Sequence, residues 1–239
     1  MSAFDIASRH RRAQLVVCFV YVVVPVFQLV VLLLLRAWTG VAIAVFALLL
    51  FGVFWRGNRY DTQYWPAVGG TTCGMTGLFV GLFGTDSLGY AVLAALPGAF
   101  VGYWLGRLAV RLVLHPLDAR LADSPYQLVF RLRDNRGTRL AIEDTSLRLL
   151  VKVKKVEGDR TTHTEEAVEV AFQNLKGAYV RQLSGSEPIV YPIGPEQAGS
   201  RGTALVVESF SGEWILPHDD AVVLGQIIDR RIAGLRGTQ

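Results

Sequence analysis

From Ala13 to Leu35 the chain runs 23 residues without a charge, rich in Val and Leu. A helix of that length rises about 35 Å, enough to cross a hydrocarbon layer of about 30 Å. A cleaved signal peptide is the competing reading, because Arg9, His10, Arg11 and Arg12 resemble a basic leader. The apolar run is too long for that and lacks a small-residue cleavage site. Pro25 near its middle predicts a kink. A second run lies between Trp38 and Trp55, two indoles placed as in interfacial belts. A third, Pro66 to Gly84, is diluted by glycine and threonine, and a fourth extends from Ser87 to Leu114. The four-residue connection Arg36-Ala37-Trp38-Thr39 makes the first two spans a hairpin.

Charge orients these spans. Up to residue 113 there are eight arginines against three aspartates, whereas the remainder carries sixteen Lys or Arg and seventeen Asp or Glu. With four crossings, the arginines of the N-terminal tail, of the 56–65 connection (Arg56, Arg59) and of the last exit (Arg107, Arg111) all fall on one side. Positive loops face the cytoplasm, so a multi-pass protein of the cytoplasmic membrane with both termini cytoplasmic is expected. The basic pI of about 9.2 belongs to those loops, which argues against a nucleic-acid partner. Cys18 and Cys73 both sit in apolar runs and the polar half has no cysteine, which fits a reducing compartment.

The stretch GAFVGYWLGRLAVRLVL, residues 98–114, spaces Gly98, Gly102 and Gly106 by four. Gly70 and Gly74, then Gly77 and Gly81, echo that spacing in the third run. Small residues at this interval let helix backbones approach. The seam is expected within one chain, and a homo-oligomer could use the same chemistry. Arg107 and Arg111 lie in the last turns, where they can reach cytoplasmic headgroups. An anion path would need them deep in the membrane.

Past a juxtamembrane linker at 115–125, the period changes from helical to alternating. Leu128, Phe130 and Leu132 take one face of a strand, and Leu147, Leu149, Val151 and Val153 the inner face of another. Turns are expected at Asn135-Arg136-Gly137, Glu157-Gly158-Asp159 and Ser211-Gly212, with further strands at 168–172, 178–183, 189–193, 203–210 and 213–216. Asp219 or Asp220 can cap a final helix whose stripe is Ala221, Leu224, Ile227, Ile228, Ile232 and Leu235. The expected fold is an α+β membrane protein. Four transmembrane helices (1–114) precede a small antiparallel β-barrel or sandwich capped by a C-terminal helix (126–239).

The segment SGEWILPHDDAVVLGQIIDRRI, preceded by VEVAFQNLKGAYVRQL, resembles the closing half of the bacterial pleckstrin-homology-like domains often fused to membrane spans. The resemblance covers residues 126–235. It implies a small barrel plugged by its last helix and a binding role, toward proteins or membrane, in place of catalysis.

Chemistry-bearing motifs are few. The histidines at 10, 115, 163 and 218 have no second ligand at metal spacing, and His218-Asp219-Asp220 is explained by helix capping, so neither a metal nor a cofactor is expected. Phosphate-binding glycine motifs and a nucleophile elbow are absent from the sequence. Glu165 and Glu166 read as cross-strand partners of lysines, with Lys152 opposite Glu165 and Arg148 opposite Glu169. Arg131, Arg133, Arg136 and Arg139 cluster at the first hairpin. In phosphoinositide-binding pleckstrin-homology folds that hairpin supplies the basic residues, and each cation near an anionic leaflet contributes about 1 kcal/mol. An ordinary solvated hairpin reads the same way. The expected function is a non-enzymatic membrane protein presenting a cytoplasmic module to a protein partner or to the inner leaflet. Its alternative is an oligomeric pore built from the third and fourth spans and gated by that module.

Overall fold

The computed structural model describes residues 3–133, 137–157, 160–185, 188–189, 197–198, 201–210 and 212–237. The chain divides into two compact units, Met1–His115 and Pro116–Gln239.

In the first unit, α1 (Ala3–Cys18) continues through one π-helical turn (Phe19–Val23) into α2 (Val24–Leu34). The cause is Pro25, which has no N–H and whose ring would strike the carbonyl four residues back. Widening the preceding turn, with Val24 N–H bonded to Phe19 O five residues back, absorbs that conflict. The predicted kink is thus a bulge of one turn. Then follow α3 (Trp38–Asn58), α4 (Trp65–Thr85) and α5 (Leu88–Leu114). Four helices, Ile6–Leu34, Trp38–Asn58, Trp65–Thr85 and Leu88–Leu114, are long and apolar enough to cross a membrane. Much of their apolar surface is exposed, including Phe46, Leu49, Val53, Leu93, Leu96 and Phe100.

Tight backbone turns join them. Arg36 adopts a left-handed conformation (φ 54°). Its N–H bonds Leu33 O, and Ala37 N–H bonds Leu32 O, each at 3.0 Å. Those two bonds close the end of α2 in a Schellman motif.

The helices α4 and α5 meet backbone to backbone. A Cβ added to Gly69 would stand 2.5 Å from Gly102 O, one on Gly98 2.5 Å from Cys73 O, and one on Gly106 2.5 Å from Trp65 O. Gly77 and Gly81 are as closely opposed to Ala94 and Ala91, while Gly70 and Gly74 approach Ala99 with slightly more room. All seven glycines of the sequence pattern therefore lie in one intrachain seam, where close approach multiplies dispersion contacts. At the far end Arg9 of α1 is buried, and its guanidinium donates to Leu112 O (3.2 Å) and Val113 O (3.0 Å). The start of the first long helix and the end of the last thus lie side by side. The cation also suits the negative end of the α5 dipole.

The second unit opens with a 3₁₀ turn (Ala119–Asp123) whose Leu121 is fully buried. This turn, inside the segment read as a linker, packs against the C-terminal helix α6 (Ala221–Gly237). Strands β1 (Leu128–Arg131), β2 (Thr138–Ile142), β3 (Ser146–Glu157) and β4 (Arg160–Ala171) form an antiparallel meander in that order. A second antiparallel sheet orders β5 (Leu175–Leu183), β8 (Gly202–Ser209) and β9 (Gly212–Pro217), and β6 (Pro188–Ile189) pairs with β7 (Gln197–Ala198). Of the segment expected as a strand at 189–193, residues 190–193 lie outside the described residues. The register places Arg148 opposite Glu169 and Lys152 opposite Glu165, as the hairpin turn predicted. Leu128, Leu140, Leu147 and Leu149 fill the core, joined by Leu224, Ile227 and Ile228 of α6. Leu150, expected outward, is buried as well.

Of the expected barrel or sandwich, the structure has two antiparallel sheets and no closed barrel: among the described residues the four-stranded and three-stranded sheets share no ladder. After β4 the chain enters a 3₁₀ turn (Phe172–Asn174), and among the described residues no strand pairs with the outer edge of β4. On the other side Arg133 N–H reaches Pro217 O at 3.0 Å. Proline has no N–H to return that bond, so pairing stops there.

The seam makes a specific demand. Gly102→Leu forces a side chain into the Gly69 carbonyl and is expected to destabilise the first unit by about 1–3 kcal/mol or more, as overpacking does. Gly52→Ala, at a position with open space around it, is expected to cost nothing. Thermal denaturation of the two variants in detergent checks the contrast.

Candidate functional site

The edge of β4 borders a groove of about 530 Å³. Its sheet side is formed by Thr145 and Ser146 of the β2–β3 turn, Glu169 and Ala171 of β4, and Phe172 and Gln173 of the turn that follows. Its other wall is the last part of α6, with Ile232, Leu235 and Arg236. The stripe of α6 explains the geometry. Leu224, Ile227 and Ile228 are fully buried, whereas Ile232 and Leu235, one and two turns later, are half-buried and line the groove. Glu169 and Arg236 are both exposed, and among the described residues neither has an ion-pair partner. Arg148 stands opposite Glu169 in register without bridging to it. The groove therefore combines apolar lining from Ala171, Ile232 and Leu235 with one charge of each sign that has no ion-pair partner among the described residues.

Arg231 holds the helix beside it. It lies on the buried side of α6 and donates to Ile142 O (3.0 Å), Tyr126 O (2.8 Å) and Ser124 O (3.3 Å). Asp144 lies 3.6 Å away from an exposed position. Burial lowers the Arg231 pKa from its ordinary value and the Asp144 charge offsets part of that. Those three carbonyls belong to the end of β2 and to the entry into β1, so one cation ties α6 to both ends of the β1–β2 hairpin. The stripe read from the sequence, Ala221, Leu224, Ile227, Ile228, Ile232 and Leu235, passes over Arg231. The signal was present, since 224, 227, 228, 231 and 235 continue one helical face.

At the opposite end of α6, the side chain of His218 bonds the residue that precedes the helix, Asp220. Its Nδ1 accepts Asp220 N–H at 3.0 Å, while its ring stands edge-on to Phe130 at 5.9 Å between centroids. Asp219 instead pairs with Arg133 at 2.7 Å, and the Thr203 hydroxyl donates toward His218 O at 2.8 Å. Burial lowers the His218 pKa, with Arg133 acting in the same direction and Asp220 and Asp219 opposing.

This arrangement disperses the basic hairpin. Arg133 is bound to Asp219, and Arg139 to Glu165, the carboxylate expected to face Lys152. Arg136 lies outside the described residues. Arg131 remains exposed and without a partner among the described residues. Arg107 and Arg111 are exposed near the end of α5, Arg107 over the Tyr103 ring at 5.9 Å. They face outward instead of lining a passage.

The sequence reading also missed an intramembrane-type polar cluster. Gln28 of α2 and Thr72 and Thr76 of α4 are buried. The Thr76 hydroxyl lies 2.9 Å from Gln28 Oε1 and 3.0 Å from Thr72 O. A hydroxyl has one proton, so both contacts are satisfied when Thr76 donates to Thr72 O and the Gln28 amide is turned with Nε2, otherwise buried without a partner, in the place of Oε1 and donating to the hydroxyl. Among the described residues no group of three or more His, Cys, Asp or Glu is placed to hold a metal ion.

No family model, no curated protein and no solved structure matches the chain.

Two outcomes follow from the charged groups flanking the groove helix. Arg231→Ala leaves three carbonyls without their donor and is expected to destabilise the second unit by about 3 kcal/mol, read from chemical denaturation. His218 holds a proton less tightly folded than unfolded. Its contribution is therefore intact above the ordinary value of 6.5 and is lost as pH falls below it toward the lowered folded value. Hydrogen exchange in the first turn of α6 should accelerate across that window, and His218→Gln should flatten the response.

Proposed function

We propose that this chain is a non-enzymatic, multi-pass protein of the cytoplasmic membrane, whose second unit is a pleckstrin-homology-like module that binds a protein partner on the cytoplasmic side. The observation that carries this reading is the groove beside the β4 edge, with its apolar lining and with Glu169 and Arg236, neither in an ion pair among the described residues. Four helices suited to a bilayer and the arginine bias of their flanks support the anchoring and the orientation. Sheets of four and three antiparallel strands followed by one helix are the elements that the pleckstrin-homology-like resemblance implies.

Of the two binding roles, protein is favoured over lipid. Adsorption to an anionic leaflet draws on uncompensated cations, each contributing about 1 kcal/mol. The first hairpin commits Arg133 and Arg139 to carboxylates within the chain, which weakens its attraction to lipid.

Orientation and binding are tested together in intact cells. In single-cysteine variants lacking Cys18 and Cys73, a membrane-impermeant maleimide added outside is expected to label Asp86→Cys and to spare Lys176→Cys until the membrane is opened. A benzophenone at Lys176 or Val222, both exposed, is expected to give discrete protein adducts. External labelling of Lys176→Cys, or cross-linking to lipid alone, would overturn the reading.

A further inference from the structure

The edge of β4 can be resolved residue by residue. Phe172 N–H bonds Thr145 O, which makes that pair a hydrogen-bonded one. In an antiparallel ladder such pairs alternate. Val170 and Val168 therefore turn their amides toward β3, while Ala171, Glu169 and Ala167 turn theirs toward the open side. Among the described residues nothing pairs with that side. A strand edge left open in this way is a template for another extended segment.

The groove lies at the same place. Glu169 and Ala171, two residues apart and so on one face, both line it, opposite Ile232, Leu235 and Arg236. Ala171 is small and leaves the space between β4 and the helix unfilled. Glu169 offers a carboxylate and Arg236 a guanidinium, neither paired among the described residues.

We propose that the β4 edge from Ala167 to Ala171 takes an extended segment of a partner protein as an added strand, with a basic residue against Glu169 and, two positions along, a large apolar residue filling the groove between Ala171 and the Ile232–Leu235 face. An acidic residue two positions further meets Arg236. This deepens the protein-binding reading above and rests on it. The charges select the occupant. A second copy would bring β4 against β4, two strands each carrying Glu165, Glu166 and Glu169, and like charges facing each other across a ladder are destabilising.

The test uses the full chain in detergent micelles and an end-blocked, fluorescein-labelled peptide, Thr-Lys-Thr-Leu-Thr-Asp-Thr, followed by fluorescence anisotropy. Saturable binding is expected. Glu169→Lys should weaken it by about tenfold or more, the scale of one lost charge pair at a partly desolvated site. A peptide with Asp in place of Lys should then prefer the Glu169→Lys protein. Leu235→Glu should abolish binding of the parent peptide, and far-UV circular dichroism with an unchanged melting midpoint shows that each variant is folded. N-methylation of alternate peptide amides should eliminate binding in one phase of the alternation and spare it in the other.

Absence of saturation, indifference to Glu169→Lys, or indifference to both phases of N-methylation would overturn the proposal. So would a dimer of the full chain that dissociates on Glu169→Lys, since a second copy would then hold the edge. Failure here is distinguishable from failure of the module reading. Protein adducts from Lys176 or Val222 alongside an indifferent peptide would remove the β4 site and leave the module in place.

Discussion

A buried guanidinium satisfying backbone carbonyls is the interaction on which each unit depends. Arg9 takes the last carbonyls of α5, and Arg231 takes three carbonyls at the ends of the β1–β2 hairpin. In both places the chain leaves regular structure in a buried setting, where an unpaired acceptor costs about 1–3 kcal/mol. Arginine suits this because its fork presents several donors from one rigid plane. A lysine would offer three donors from a single nitrogen, with less reach between carbonyls of separate segments than the guanidinium fork.

Given that fixed frame, the remaining geometry follows from how closely elements can approach. Between α4 and α5 glycine removes the side chains that would separate the backbones, and the contact becomes one of peptide planes and Cα hydrogens. In the second unit the separation is kept. The turn at Phe172–Asn174 diverts the chain from β4, the sheets share no ladder among the described residues, and α6 extends past the end of the core. The groove is the space these two facts leave.

Much of this was legible in the sequence because it depends on periodicity. Uninterrupted apolar length gave the four long helices, and alternation gave β1 to β4 with the pairing of Arg148 with Glu169 and Lys152 with Glu165. Residues whose role depends on three-dimensional neighbours were not legible. Arg231 reads as a solvated charge until the carbonyls around it are known, and Gln28 reads as a tolerated polar residue until Thr76 is seen beside it. Arg139 reached Glu165 from two strands away, a diagonal that a pairwise register does not reveal. That the two sheets share no ladder among the described residues was not legible either, since it turns on a three-residue corner and on one proline at the end of β9.

The widened turn ahead of Pro25 sets more than the local hydrogen bonds. One residue added to a helical turn advances everything after it by about 100° around the axis. Every side chain from Val24 onward therefore projects in a direction that an uninterrupted helix would have assigned to its neighbour. Gln28 faces Thr76 because of that rotation. A proline ordinarily regarded as a defect thus sets the azimuth of the Gln28 amide, steering it inward and away from the acyl chains that a bilayer would place around it.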